Sequence, residues 1–223
     1  DSIQGDFGFG EVYQTGRIDT LSLINNYRAY LTNQNLIRFE KFEHSKINFS
    51  DNDIHYKEIV TNRIVFCEGF GIKQNPFFNY LPLNEAKGEL ITIHAPELNI
   101  DFLAKSTLFI LPLGNHLYKV GATFNWTDKT SKPSKEGRDE LVEKLAKVID
   151  VPYKVVNQSA GIRPTVAGRR PLVGNHPKFD NLTVLNGLGT RGVMIGPWAA
   201  NQLYNHIENG TELDAEIDIK RFS

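Results

Sequence analysis

The chain has 223 residues, of which 40% are apolar and 23% charged, and its formal net charge is −1. A chain of this size and makeup can bury a core without disulfide staples. The near-zero charge gives no general pull toward nucleic acid or anionic membrane, and no apolar run reaches the ~18 residues that a membrane span needs. Cys67 is the only cysteine, so no internal disulfide forms and a reducing, cytoplasmic setting is expected. In "RIVFCEG" it sits in an apolar run with no helix start or basic neighbour, which predicts a buried, inert thiol. The histidines, at 44, 55, 94, 116, 176 and 206, show no pair at metal spacing, so no metal site is expected. The first residue is Asp1, and no signal-peptide pattern follows it, as expected of a processed or cloned fragment.

Along the chain, "DSIQGDFGFGEVYQTG" reads as a glycine-rich loop or edge strand. Its Gly8-x-Gly10 is no fingerprint, because Tyr13 takes the third glycine position. Asp19 is placed to cap a helix to about Asn33, with Leu21, Ile24, Arg28 and Leu31 on one stripe. Short strands follow in "LIRFEKFE", "KINF" and "IHYKEI". "NRIVFCEGFG" reads as a strand buried on both faces and ending in glycines. "GELITIHA" is a strand, and "TLFILPLGNHLYKVGATFNW" a hairpin turning near Gly114-Asn115. Ser134 is placed to cap a helix to about Asp150, with Leu141, Leu145, Val148 and Ile149 on one face. "SAGIRPTVAGRRPLVGNHP" reads as turn-rich, with Arg169 and Arg170 solvated. "NLTVLNG" is a buried strand, and the last helix ends at Gly210. The outer pieces thus read as α/β, and the middle as an antiparallel sheet with one helix, of α+β type.

Gly187-x-Gly189-x-x-Gly192 has the spacing of a dinucleotide fingerprint. Such a fold also needs a second parallel strand bearing an acidic residue about 20 positions on. Only "TELDAEIDIKRFS" follows Gly210, and Glu212 and Asp214 there lie on no buried strand. A strand feeding a helix still aims free N–H groups and a positive dipole end at whatever lies above the turn. Pro197 suits the first helical turn, and the bare glycine backbone lets a flat ring approach. A group that becomes negative, such as a flavin accepting a hydride, would be stabilised there. The glycines could instead serve only close strand–helix packing.

"SAGIRPTVAGRRPLVGNHP" followed by "NLTVLNGLGTRGVMIGPWAANQL" resembles the C-terminal part of the D-amino-acid oxidase family of FAD-dependent oxidoreductases, which includes glycine oxidase. "GRIDTLSLINNYRAYL" is similar to the family's Val-Asp-Pro helix start, with Thr20 in place of proline. "NRIVFCEGFG", "KGELITI" and "LFILPLGNHLYKVGATFNW" resemble the strand beneath the FAD pyrophosphate, the Arg-Gly-Gln strand and the long hairpin. The resemblance implies an incomplete FAD/NAD(P)-binding-type domain, residues 1–75 and 155–223, with an inserted antiparallel-sheet substrate domain, residues 76–154. It implies FAD as cofactor and a small-molecule amine or amino acid as substrate. Arg163 in "GIRP" matches the substrate-carboxylate arginine, whose planar fork suits two parallel hydrogen bonds. Gly187, Leu188, Gly189, Thr190, Arg191, Gly192 and Val193 match the segment against the flavin's pyrimidine side. Arg191 adds positive charge there, reaches the substrate, or serves a structural ion pair. Gly69 matches the close-approach glycine near the pyrophosphate.

The sequence departs from the family pattern in two places. Phe109 in "FILP" stands where glycine oxidase carries a substrate-binding tyrosine, which removes a hydroxyl contact and argues against glycine as substrate. The N-terminal βαβ unit of the family has no counterpart here. "GLGTRG" also resembles the FAD domain of a bifunctional enzyme that modifies wobble uridines in tRNA. A non-catalytic binding module is the rival reading from another class.

Overall fold

The computed structural model describes residues 2–5, 8–50 and 53–222. The glycine-rich opening expected as loop or edge strand includes Asp1, Asp6 and Phe7, which lie outside the described residues. In chain order the elements are α1 (Thr20–Asn33), β1 (Ile47–Phe49), β2 (Ile54–Tyr56), β3 (Ile59–Thr61) and β4 (Ile64–Phe66). Then come β5 (Leu83–His94), β6 (Ala104–Lys105), β7 (Phe109–Gly114), β8 (Leu117–Gly121), α2 (Lys135–Leu145) and β9 (Lys154–Val166). The chain closes with β10 (Leu172–Asn175), β11 (Leu182–Asn186) and α3 (Gly192–Asn209). Two compact units result: Asp1–Gly10 with Leu83–Ala167, and Glu11–Pro82 with Gly168–Ser223. An inserted sheet flanked by outer pieces was expected, but its limits differ. Residues 155–166 belong to the sheet, because β9 pairs with β5 as far as Val166, and residues 76–82 belong to the flanks.

The sheet unit is an antiparallel five-stranded sheet of order β6-β7-β8-β5-β9. Its hairpin turns at Asn115 and His116, both left-handed, one residue beyond the expected turn. One face carries Ile91, Ile93, Ile110, Tyr118 and Val120, which pack with Leu141 and Leu145 of α2 and with Val148 and Ile149 beyond it. The Ser134 side chain caps α2 as expected, accepting from the Gly137 amide at 3.0 Å. The helix stops at Leu145, short of the expected Asp150, although Val148 and Ile149 still reach the core. Of the segment read as turn-rich, residues 159–166 belong to the thirteen-residue strand β9; a turn and strand β10 follow. Pro164 lacks the N–H of an inner strand, and β9 tolerates it because it lies at the sheet edge.

In the other unit, β10-β11-β4 form a mixed sheet, with β11 antiparallel to β10 and parallel to β4. Ala199 and Leu203 of α3 pack with Val173 and Ile217. Gly210 is left-handed and ends α3 as expected, whereas Pro197 lies inside the helix, past its first turn. A separate β1-β2-β3 meander turns at left-handed Lys57, so "IHYKEI" is two strands. "LIRFEKFE" forms no strand; its Phe42 instead stacks on Tyr56, ring centres 4.3 Å apart. Asp19 caps α1 through the Leu21 and Ser22 amides, but no residue of α1 is buried, so its apolar stripe meets no core. β4 is buried at Phe66 and exposed at Val65, not covered on both faces. Cys67, just beyond it, is exposed rather than buried. Desolvation by nearby chain, and then the Glu68 charge, push its thiol up, which keeps it a poor nucleophile.

Candidate active site residues

Paired residues in neighbouring strands project to the same face, and successive residues to opposite faces. The pairing Arg163–Ala86 therefore sets Arg163 on the face opposite the apolar core, along with Gly88 and Leu90. Phe109 joins that face through its pairing with Gly121, which itself pairs with Leu90. The structure thus brings two of the three substrate-side residues read from sequence, Arg163 and Phe109, onto one surface of one sheet; the third, Arg191, belongs to the other unit.

Three neighbours fix the Arg163 side chain. A Cβ at Gly88 would collide with its guanidinium, so the bare glycine is the floor on which that group rests. The guanidinium carbon lies 4.2 Å from the centre of the Phe124 ring, within cation–π range. Its Nη1 donates to the Thr123 carbonyl at 3.2 Å. No carboxylate pairs with it among the described residues, and burial pulls its pKa below the usual arginine value. Arg163 stays charged even so, because guanidinium starts from a very high pKa. A half-buried cation with spare donors and no counter-charge is suited to receive an anion. Further along the same face, Gly121 of β8 makes room for the Leu90 side chain, and the Phe109 ring, three strands from Arg163, lies 3.3 Å from where a Gly121 Cβ would stand.

The opposite face holds β5 against α2. Lys87 and Glu89 are buried there, 3.2 Å apart, and Lys87 Nζ is 2.6 Å from Asp128 Oδ2. Glu89 accepts from the Ser134 amide at 2.9 Å, the Ser134 hydroxyl at 2.6 Å and Gln158 Nε2 at 2.8 Å. Burial alone would raise the Glu89 carboxyl, but these hydrogen bonds outweigh it and hold the group below its usual range. Gly88 is the residue between these two anchors, so the network fixes the floor beneath Arg163 from behind.

The glycine turns belong to the other unit. Gly69 and Gly187 follow the carboxyl ends of the parallel strands β4 and β11, the place where ligands bind in open α/β sheets. Gly69, Gly187 and Gly189 all have positive φ (59°, 69° and 57°), a region that disfavours a side chain. A Cβ at Gly69 would meet nothing within 4 Å, so the space above that turn is open. No side chain caps the start of α3, which leaves its first N–H groups for another acceptor. Thr190, Arg191 and Val193 are exposed, and Leu188 and Gly192 partly so. Arg191 forms no ion pair among the described residues, which leaves its charge free at the helix start. Glu68, which precedes Gly69 in the chain, is engaged by His44 Nε2 at 2.8 Å and Asn75 Nδ2 at 2.7 Å. An open turn at Gly69, an uncapped helix start and a free arginine fit the electron-rich edge of a flavin.

Sequence reasoning did not single out Gly88, Thr123 and Phe124, or Asn186 at the end of β11. The signal for Gly88 was a glycine between two charges in "KGE"; the others become visible only through strand register.

The profile of the family FAD dependent oxidoreductase matches residues 5–205. Glycine oxidase of Bacillus subtilis is 24% identical over 184 residues, covering 76% of this chain and 49% of that protein. The tRNA 5-methylaminomethyl-2-thiouridine biosynthesis bifunctional protein of Campylobacter jejuni is 25% identical over 114 residues, 50% of this chain and 18% of that one. Among solved structures, iminodiacetate oxidase from Chelativorans sp. BNC1 superimposes with a TM-score of 0.63 at 22% identity, covering 80% of this chain and 51% of that one. Glycine oxidase from Geobacillus kaustophilus gives the same TM-score of 0.63 and 22% identity, covering 80% and 50%. These likenesses show the fold, and the chain spans about half the length of glycine oxidase. A profile match that takes in both glycine turns, the sheet and Arg163 assigns the chain: it belongs to the FAD dependent oxidoreductase family.

Proposed function

We propose that this chain supplies the carboxylate grip and the flavin-facing amides of an enzyme that oxidises an amine or amino acid. The observation that carries the reading is Arg163: half-buried, fixed on three sides, and without a counter-charge among the described residues. A substrate carboxylate supplies the missing anion, gripped by the guanidinium fork. Charge-assisted hydrogen bonds of this kind contribute about 1.5–3 kcal/mol each. Phe109 offers a ring and no hydroxyl, which favours substrates larger than glycine.

FAD, when bound, accepts the hydride from the substrate carbon. The chain's own residues position and polarise. Gly69 and the turn from Gly187 to Val193 would hold the cofactor against bare backbone, and the α3 start with Arg191 would supply positive charge to its electron-accepting edge. Orientation of this kind is a large part of what an enzyme can add to cofactor chemistry.

The test is made on the flavin-loaded protein. Arg163→Ala should raise KM for an amino acid by about 10- to 150-fold, the worth of one charge-assisted hydrogen bond. Arg163→Lys should recover part of that loss. Unchanged KM and kcat in Arg163→Ala would remove Arg163 from the site. A full-length protein that stays colourless and cannot be loaded with FAD would instead favour a non-catalytic binding module.

The likeness to the tRNA-modifying bifunctional protein favours a second reading, an FAD domain acting on a wobble uridine. The net charge of −1 gives it no electrostatic support. A salt-sensitive gel shift with tRNA would establish it, and its absence at low salt would dismiss it.

A further inference from the structure

Asn186 is the last residue of β11 and is 3% exposed. Its Nδ2 donates to the Gly69 carbonyl at 2.9 Å, and its Oδ1 accepts from the Gly187 amide at 2.8 Å. One carboxamide thus joins the two glycine turns. Paired register between β4 and β11 ends at Phe66 and Val184, short of both turns. Among the described residues, no other side-chain hydrogen bond links the segment after β4 to the segment after β11. The contact also settles the role of Gly187: its N–H is already engaged, so donors for a ligand come from further along, toward the uncapped start of α3.

We propose that Asn186 is a positioning residue, which sets the spacing of the Gly69 and Gly187 turns so that one cofactor meets both. The inference rests on the FAD reading above. The chemistry asks for a carboxamide. It donates through nitrogen and accepts through oxygen, whereas a carboxylate only accepts and would face the Gly69 carbonyl with like charge. Leucine, of similar volume, would leave a buried N–H without a partner and remove the link. A protonated aspartate regains both roles, because one oxygen then donates and the other accepts.

The experiment compares wild type, Asn186→Leu, Asn186→Asp and Leu145→Ala, a variant in the core of the sheet unit. FAD affinity is read by flavin fluorescence, and the Gly187 amide by hydrogen exchange in the flavin-free chain. Asn186→Leu should lose FAD affinity on the order of tenfold, the worth of one to two neutral hydrogen bonds, and expose the Gly187 amide to exchange. Asn186→Asp should behave likewise at neutral pH and recover both properties as its carboxyl protonates, with wild type flat over the same range. Leu145→Ala should lose stability but keep its FAD affinity. The proposal is overturned if Asn186→Leu binds FAD like wild type, if Gly187 stays protected in it, if Asn186→Asp shows no pH-dependent recovery, or if Leu145→Ala loses as much affinity. Failure of wild type itself to take up FAD is a separate outcome; it overturns the cofactor reading and this inference with it.

Discussion

The Arg163 guanidinium lies over the face of Phe124, and its position is possible only because residue 88 has no Cβ. Gly88→Ala should therefore act as an Arg163 variant without touching Arg163. The expected outcome is a KM for the substrate carboxylate approaching that of Arg163→Ala, with little further loss when the two changes are combined. Phe124→Leu should cost less, about 0.5–1 kcal/mol, the worth of an exposed cation–π contact. Steady-state kinetics on the single and double variants checks this; additive losses would separate Gly88 from Arg163.

Glu89 is the acceptor hub of the buried network, taking bonds from the Ser134 amide and hydroxyl and from Gln158. Glu89→Ala should destabilise the protein by about 3 kcal/mol, because a buried ion pair is broken and polar groups lose their partner. Glu89→Gln, which keeps the shape and one of the two accepting oxygens, should cost less. Urea unfolding gives both values, and an alanine variant as stable as wild type would contradict the account.

Two helical glycines should respond oppositely to alanine. In an exposed helix interior, Gly→Ala commonly stabilises by about 0.8–1 kcal/mol. At Gly196 the new methyl would lie 3.6 Å from Leu188 Cδ1, an ordinary contact, so Gly196→Ala should stabilise. At Gly137 it would lie 2.5 Å from the Glu89 carboxylate, so Gly137→Ala should destabilise despite its better helix propensity. Thermal midpoints of the pair decide it; shifts in the same direction would be wrong.

Acid should act through Asp128. Its hydrogen bond from Lys87, then one from the Thr130 amide, hold its carboxyl at about 2 rather than the ordinary 3.8. A folded-state value below the unfolded one means its stabilising contribution is complete above 3.8 and is lost as pH falls toward about 2. Asp128→Asn should therefore flatten that part of the stability profile. Denaturant midpoints measured across that window check it; parallel wild-type and variant curves would refute it.

The sequence by itself determined what local chemistry specifies. Asp19 and Ser134 cap their helices because a short polar side chain reaches N–H groups two or three residues on. Gly210 ends α3, and the hairpin turns beside Gly114, because left-handed backbone favours particular residues there. The ordered motifs around "GIRP" and "NGLGTRG" pointed to the family for the same reason: each is complete within a few positions. Only the tertiary structure decided what depends on distant partners. "SAGIRP" reads as turn, yet it is strand, because its hydrogen bonds go to β5. The stripe on α1 and the run in β4 read as buried, yet local pattern cannot say whether another layer covers them. The contact between Asn186 and Gly69 joins positions 117 residues apart, and Gly88 makes way for a side chain from another strand. Such positions carry no local signal, because packing and register, not propensity, give them their roles.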